Sequence, residues 1–167
     1  ADEHPVVAGH VRWALSRLQS TVSTVCDRLD DFDATAAGRA IDEFVDDLSN
    51  WYVRSSRRRF WDAEPDAIAT LRECLLTVSQ LIAPFTPFIA DEIYFKLAGE
   101  NAAESVHLTD FPTPDTQLAD AKLESDMATA RQAVELARAA RAQAKVKIRQ
   151  PLGEIVSPAL TRPSFLL

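Results

Sequence analysis

Apolar residues return along the first thirty positions at steps of three and four. Val7, Val11, Ala14, Leu15, Leu18, Val22, Val25 and Leu29 trace one face of a helix running from about Pro5 to Asp31. Pro5 suits the first turn, where its missing N–H costs nothing, and the cluster Asp30, Asp31, Phe32, Asp33 ends the helix. Asp33 or Thr35 can cap a second helix that reaches about Trp61, with Ile41, Phe44, Val45, Leu48, Tyr52 and Ser55 as its inward stripe. Pro65 and Asp66 open a third, which turns Ile68, Leu71, Leu75, Val78 and Ile82 inward. Pro84 and Pro87 interrupt it, since each removes a backbone donor and crowds the preceding turn. A short continuation from Phe88 to Leu97 carries Ile89, Ile93 and Leu97 inward. Gly99 to Asp115 reads as a loop. A last long helix, from about Asp115 or Leu118 to Lys145, is rich in alanine, the best helix former.

After Lys145 the period changes. Lys145, Lys147 and Arg149 alternate with Val146 and Ile148, the two-residue repeat of an extended segment, and Pro151 prevents a return to helix. Glu154–Val156 fits a short strand, and the residues beyond it carry no pattern. The expected fold is all-α: an antiparallel helical bundle over residues 1–150, with 151–167 an extended C-terminal segment or the start of a further element.

Composition agrees with that reading. A chain of 167 residues suits one domain, and only four glycines argue for long helices over sheet or loop. No apolar run approaches the ~20 residues that cross a bilayer. The N-terminus opens with Asp2 and Glu3 and has no basic stretch before an apolar one, so a cytoplasmic location is expected. Cys26 and Cys74 stand apart without a CxxC spacing and are expected as two buried free thiols.

Charge changes the picture more. The net charge of −7 speaks against a nucleic-acid partner until its distribution is considered. Of 18 Lys and Arg, four lie between Arg54 and Arg59 and six between Arg131 and Arg149, and those two windows hold a single acid, Glu135. An acidic body with two compact basic patches can still attract phosphate, because local potential governs attraction and salt screens it within about 8–10 Å.

The first patch has the sharper chemistry. At about 100° per residue, Asn50, Arg54, Arg57, Arg58 and Trp61 fall opposite the inward stripe, Trp51 lies at its margin, and Arg59 projects nearer the buried side. Guanidinium groups match phosphate oxygens in a planar fork, and an indole beside them offers a stacking platform for an unpaired base. Dipole matching to Asp42, Glu43, Asp46 and Asp47 at the other end accounts for one or two of these arginines. A solvated basic face and an acidic protein partner remain alternatives to RNA. In the second patch, Arg131, Arg138, Arg141 and Lys145 recur at helical steps, and Lys147 and Arg149 extend the stripe.

Catalysis finds little support. His4, His10 and His107 are scattered, and Glu104 with His107 makes one Glu-x-x-His spacing in a loop with no second copy. No Gly-rich phosphate loop, nucleophile elbow or HExxH is present.

Four segments also resemble a known family, in the family's order. Residues 46–61, with Asp-Asp-Leu-Ser-Asn-Trp-Tyr-Val-Arg and Ser-Arg-Arg-Arg-Phe-Trp, look like the arginine-rich helix of isoleucine–tRNA synthetases. LIAPFTPFIADEIY (Leu81 to Tyr94) resembles the proline-broken helix shared by the isoleucine, valine and leucine enzymes, and SVHLTDFP (Ser105 to Pro112) the loop after it. KVKIRQPL (Lys145 to Leu152) resembles the isoleucine enzyme's exit from the last bundle helix. The first and last motifs favour isoleucine; the middle two mark only the class I aminoacyl-tRNA synthetases. The likeness covers roughly residues 5–155.

That resemblance implies the anticodon-binding helical bundle, with isoleucine tRNA as partner through its anticodon stem-loop. The parent activity it implies is ATP-dependent isoleucylation of tRNA, in a chain with catalytic and editing domains. No HIGH-like or KMSKS-like signature occurs here, so no catalytic residue, metal or cofactor is expected in this chain. By the same likeness Arg54, Arg57 and Arg58 would contact phosphates or base edges, with Trp61 and Trp51 stacking and Asn50 beside them. Lys145, Lys147 and Arg149, with Arg138 and Arg141, would hold the stem-loop backbone. Ser55 and Ser56 stand where family members can carry further arginine.

Overall fold

The computed structural model describes residues 5–100, 102–147 and 149–151, with side chains from Gly9 onward. Among these residues the chain is helical and contains no strand. In order come α1 (Pro5–Asp30), α2 (Ala34–Asp47), α3 (Arg57–Trp61), α4 (Pro65–Ile82), α5 (Pro87–Leu97) and α6 (Ala121–Gln143). A π-helical stretch, Leu48–Val53, continues α2, and a single 3-10 turn, Val106–Leu108, lies in the loop after α5. The chain divides into two compact units, His10–Ala119 and, from the two termini, Ala1–Gly9 with Asp120–Leu167.

Helix ends explain much of this order. The last carbonyls of a helix have no intrahelical donor, and a residue in the left-handed region lets the following N–H groups turn back onto them. Phe32, Ala63 and Lys145 take positive φ (58°, 51° and 54°) after α1, α3 and α6. In each case that residue's own N–H and the next one close a Schellman turn. After α1, Phe32 N donates to Leu29 O and Asp33 N to Arg28 O; after α3, Ala63 N donates to Phe60 O and Glu64 N to Arg59 O. After α6, Lys145 N donates to Ala142 O and Val146 N to Arg141 O. Glycine normally fills this position, yet no described glycine has positive φ.

Within the larger unit the helices form antiparallel hairpins. Arg17 and Asp47 lie equally far from the turn at Phe32, and Arg17 Nε donates to Asp47 Oδ2 across α1 and α2 at 3.1 Å. Tyr52 and α4 are joined the same way, its hydroxyl donating to Ala67 O at 3.1 Å. Trp13, Leu18, Val22 and Val25 of α1 are buried, as are Phe44, Tyr52, Cys74 and Leu81 on the elements that follow. A second cluster, Ala90, Tyr94 and Val106, seats α5 and the 3-10 turn, with Leu76 and Ile82 of α4 packed on it. Asp91 fixes that turn by accepting from Ser105 Oγ at 2.6 Å and Val106 N at 2.9 Å. Pro84 ends α4 and Pro87 stands in the first turn of α5, as the prolines require.

Several inward positions differ from the periodic reading. On α4 the buried face is Ala67, Thr70, Cys74, Thr77, Val78, Ser79 and Leu81. Ile68 is exposed, and Leu71, Leu75 and Ile82 are only half-buried. Small and hydroxyl-bearing residues make up much of that face, and it receives the Tyr52 hydroxyl on Ala67 O. On α5, Ala90 and Tyr94 are buried while Ile89 is exposed and Ile93 and Leu97 half-buried. Val45 and Ser55 are also exposed, and Ser56 is buried instead of Ser55. The π-helical stretch moves that register, since a wider turn advances the inward face by one residue.

In the smaller unit, Asp120 caps α6 by accepting from Leu123 N at 2.9 Å, so the helix begins later than Asp115 or Leu118. Asp115 instead accepts from Gln117 N. The segment after Lys145 is not extended throughout: Gln150 N donates to Lys147 O at 3.0 Å, which closes a turn. Ile148, the expected strand at Glu154–Val156, and residues 152–167 of the expected C-terminal segment lie outside the described residues.

Left-handed geometry costs an L-residue about 1–2 kcal/mol, and glycine gives back roughly 0.5–1 kcal/mol in backbone entropy. Ala63→Gly is therefore expected to raise unfolding stability by up to about 1 kcal/mol, read as a higher urea midpoint at unchanged slope.

Candidate nucleic-acid interface

The arginine-rich segment owes its shape to the irregular backbone around it. Ser55 Oγ donates back to Trp51 O and Tyr52 O, the kind of side-chain bond that widens or bends a helix. Tyr52 is fully buried and meets Phe60 edge-to-face, with ring centroids 6.2 Å apart. Ser56 is buried as well. The buried side of the segment thus runs Leu48, Tyr52, Ser56 and on to Arg59. Asn50, Arg54, Arg57, Arg58 and Trp61 are exposed or nearly so, and Trp51 is half-buried.

Ion pairing separates the four arginines. Arg54 and Arg57 point outward and, among the described residues, neither is engaged by a carboxylate. Arg58 Nε lies 3.7 Å from Asp62 Oδ2, with side chains 94% and 69% exposed; such a pair contributes about 0.3–0.5 kcal/mol and yields readily to phosphate. Arg59 is committed inward: its Nε and Nη2 donate to the two Glu64 oxygens at 2.6 and 2.7 Å. That forked bond holds the Glu64 carboxyl below the usual carboxylate range. Trp61 stands in solvent at 83% exposure. Three guanidiniums and an indole therefore share the outward side of α3 and the turn before it. Asn50 is the weakest member, its amide donating to Asp46 Oδ1 at 2.6 Å.

The second patch is thinner than its spacing suggests. Arg138, Lys145, Lys147 and Arg149 are exposed or nearly so, and Arg131 is half-buried. Arg141 turns onto its own backbone, Nη1 donating to Lys147 O at 3.0 Å and Gln150 O at 2.8 Å. It anchors the turn after α6 and is not held out to solvent with the others. The stripe is broken there because carbonyls beyond a helix end attract a cation.

Other candidates stay apart from this surface. His107 Nε2 is 3.3 Å from Pro87 O, and it lines a cavity of about 200 Å³ with Gln80, Pro84, Val106 and Phe111. No group of three or more metal-binding side chains occurs among the described residues. Both cysteines are free, but only Cys74 is buried; Cys26 is half-buried, its thiol donating to Pro112 O at 3.5 Å. Burial pushes the Cys74 thiol up to about 12, and burial with Asp30 and Asp27 raises Cys26. No described helix is long and apolar enough to cross a membrane. Glu64 went unnoticed in the sequence. It pairs with Arg59 at a spacing of five, which side chains reach only across the left-handed turn at Ala63.

Fold and surface together define an all-helical domain that presents cations and an indole to an outside partner. The chain belongs to the family of anticodon-binding domains of tRNA ligases, whose family model matches residues 11–156. Its curated relatives include the isoleucine–tRNA ligases of Dehalococcoides mccartyi and Deinococcus radiodurans. The first is 49% identical across 86% of this chain and 15% of its own length; the second is 52% identical across 86% and 14%. The isoleucine–tRNA ligase of Thermobifida fusca is 51% identical across 84% of this chain and 14% of its own length. The chain thus spans about one seventh of the length of these relatives.

Two carboxylates give the fold an acid limit. Ser105 Oγ and Val106 N hold the Asp91 carboxyl below its usual value, as Arg59 does for Glu64. Both are ionised more readily in the fold than in the unfolded chain. Their stabilisation is complete above the usual carboxylate range and is lost as pH falls through the depressed folded values. Asp91→Asn is expected to make thermal stability fall less steeply with acidification below ~pH 4.5, read from unfolding midpoints across pH.

Proposed function

We propose that this chain is the tRNA-recognition module of an isoleucine–tRNA ligase, and that it takes the anticodon stem-loop of isoleucine tRNA on the surface around Trp61. The observation that carries the reading is the exposed Trp61 among Arg54, Arg57 and Arg58, with Arg54 and Arg57 unpaired by acids among the described residues. Unpaired loop bases can stack on the indole while guanidiniums meet phosphates or base edges. Arg138, Lys145, Lys147 and Arg149 supply backbone contacts of the sequence-independent kind. The similarity to isoleucine–tRNA ligases supports the choice of amino acid. ATP-dependent isoleucylation belongs to catalytic and editing domains of the parent enzyme, and tRNA docking here requires no cofactor. On this reading the module works in the cytoplasm, with other steps of translation.

Binding of a labelled isoleucine anticodon stem-loop and of a scrambled loop, each at two salt concentrations, tests this. The native loop is expected to bind more tightly. Arg54→Ala with Arg57→Ala should weaken it and flatten the salt slope by about 0.7–0.9 unit for each phosphate that is no longer neutralised. Unchanged affinity in the double variant overturns the assignment of this surface.

A further inference from the structure

The Arg59–Glu64 pair sits where RNA binding would seem to want a free cation. Arg59 belongs to the run Arg57-Arg58-Arg59, yet its side chain is only 12% exposed and both ends of its fork go to Glu64. The same two residues are already joined through their backbones, because Glu64 N donates to Arg59 O in the Schellman turn after α3. A hydrophobic contact usually accompanies such a turn; here a bidentate ion pair takes its place.

α3 needs the help. It has five residues, none of them buried, and its N-cap Ser56 makes no side-chain capping bond. A helix this short is unstable by itself. Its other anchors are the edge contact of Phe60 on Tyr52, packing against α4, the backbone bonds from Ser56 N to Tyr52 O and Phe60 N to Ser56 O that join it to the helical run before it, and the backbone turn through Ala63. Trp61, Arg57 and Arg58 are carried on this one turn of helix, so whatever fixes its last residues fixes their direction.

We propose that Glu64, acting through Arg59, is a positioning residue for tRNA binding: the pair clamps the end of α3 and holds Trp61, Arg57 and Arg58 in their outward arrangement, while Arg59 itself touches no phosphate. The clamp rests on the tRNA-binding role proposed for this surface. It gives Glu64, an acid next to a polyanion site, a favourable role. A precise site depends on the rigidity of its supporting residues.

Glu64→Gln separates this from simple electrostatics, because the two accounts predict opposite signs. The substitution makes the surface one charge more positive and releases Arg59. With a clamp, stem-loop affinity falls about five- to tenfold at an unchanged salt slope. Without one, affinity rises and the slope steepens by about 0.7–0.9 unit as Arg59 gains a phosphate. Fluorotryptophan NMR supplies a readout that needs no RNA. The Trp61 resonance should shift towards its unfolded position in Glu64→Gln, while that of Trp13, which is 3% exposed in the core, stays put. Should Glu64→Gln disturb Trp13 too, Arg59→Lys, which keeps the charge and loses the fork, should still move Trp61 and weaken binding, whereas electrostatics alone leaves affinity unchanged. The exchange Arg59→Glu with Glu64→Arg should restore both Trp61 and most of the affinity. Equal or tighter binding by Glu64→Gln, or a Trp61 resonance that does not move, overturns the clamp. Failure of the unaltered chain to bind the stem-loop overturns the tRNA-binding role itself.

Discussion

Every helix must satisfy the carbonyls at its own end, and in this chain that requirement governs the rest. Three ends are closed by left-handed residues that carry side chains: Phe32, Ala63 and Lys145. Each reversal sets the direction in which the following residues leave. The turn at Phe32 brings Arg17 and Asp47 together, and the turn at Ala63 brings Glu64 to Arg59. The turn at Lys145 brings Arg141 under the carbonyls of Lys147 and Gln150. Charge pairing in the fold is thus largely a product of where the chain is made to reverse.

The exposed chemistry follows from which cations those reversals consume. Arginine content alone would make the segment from Arg54 to Arg59 uniformly basic. Arg59 is drawn inward by an acid that the turn delivers, and Arg58 is only loosely engaged, which leaves a graded surface around Trp61. The same selection acts after α6, where Arg141 is spent on backbone carbonyls. In an acidic chain these few outward cations stand against an otherwise negative body.

Much of this was legible from residue order. Proline, capping aspartate and the three- and four-residue repeats locate α1, α4 and α5 to within a residue or so. The outward set Asn50, Arg54, Arg57, Arg58 and Trp61 and the inward lean of Arg59 both follow from helical angle. The inner faces of α4 and α5 did not. Hydrophobicity points to Ile68 and Ile89, which are exposed, whereas the smaller Ala67, Cys74 and Ala90 hold the buried positions. The π-helical stretch was also hidden, because a single wider turn leaves no periodic trace, and the back-bond of Ser55 beside it also occurs at Thr21, Thr24 and Thr70 in regular helix. Arg141 shows the same limit: spacing gives a side chain's direction, and only the folded turn supplies its acceptor.

The wide turn at Leu48–Val53 has a further consequence. It carries one residue more than an α-helix would use to cover the same arc. Deleting that one residue would give a regular helix over the same arc and leave the downstream face in phase. A one-residue deletion in the regular part of α2 would instead turn the guanidiniums beyond by about 100°. The wide turn is thus the place in this helical run where the loss of one residue disturbs the outward face least.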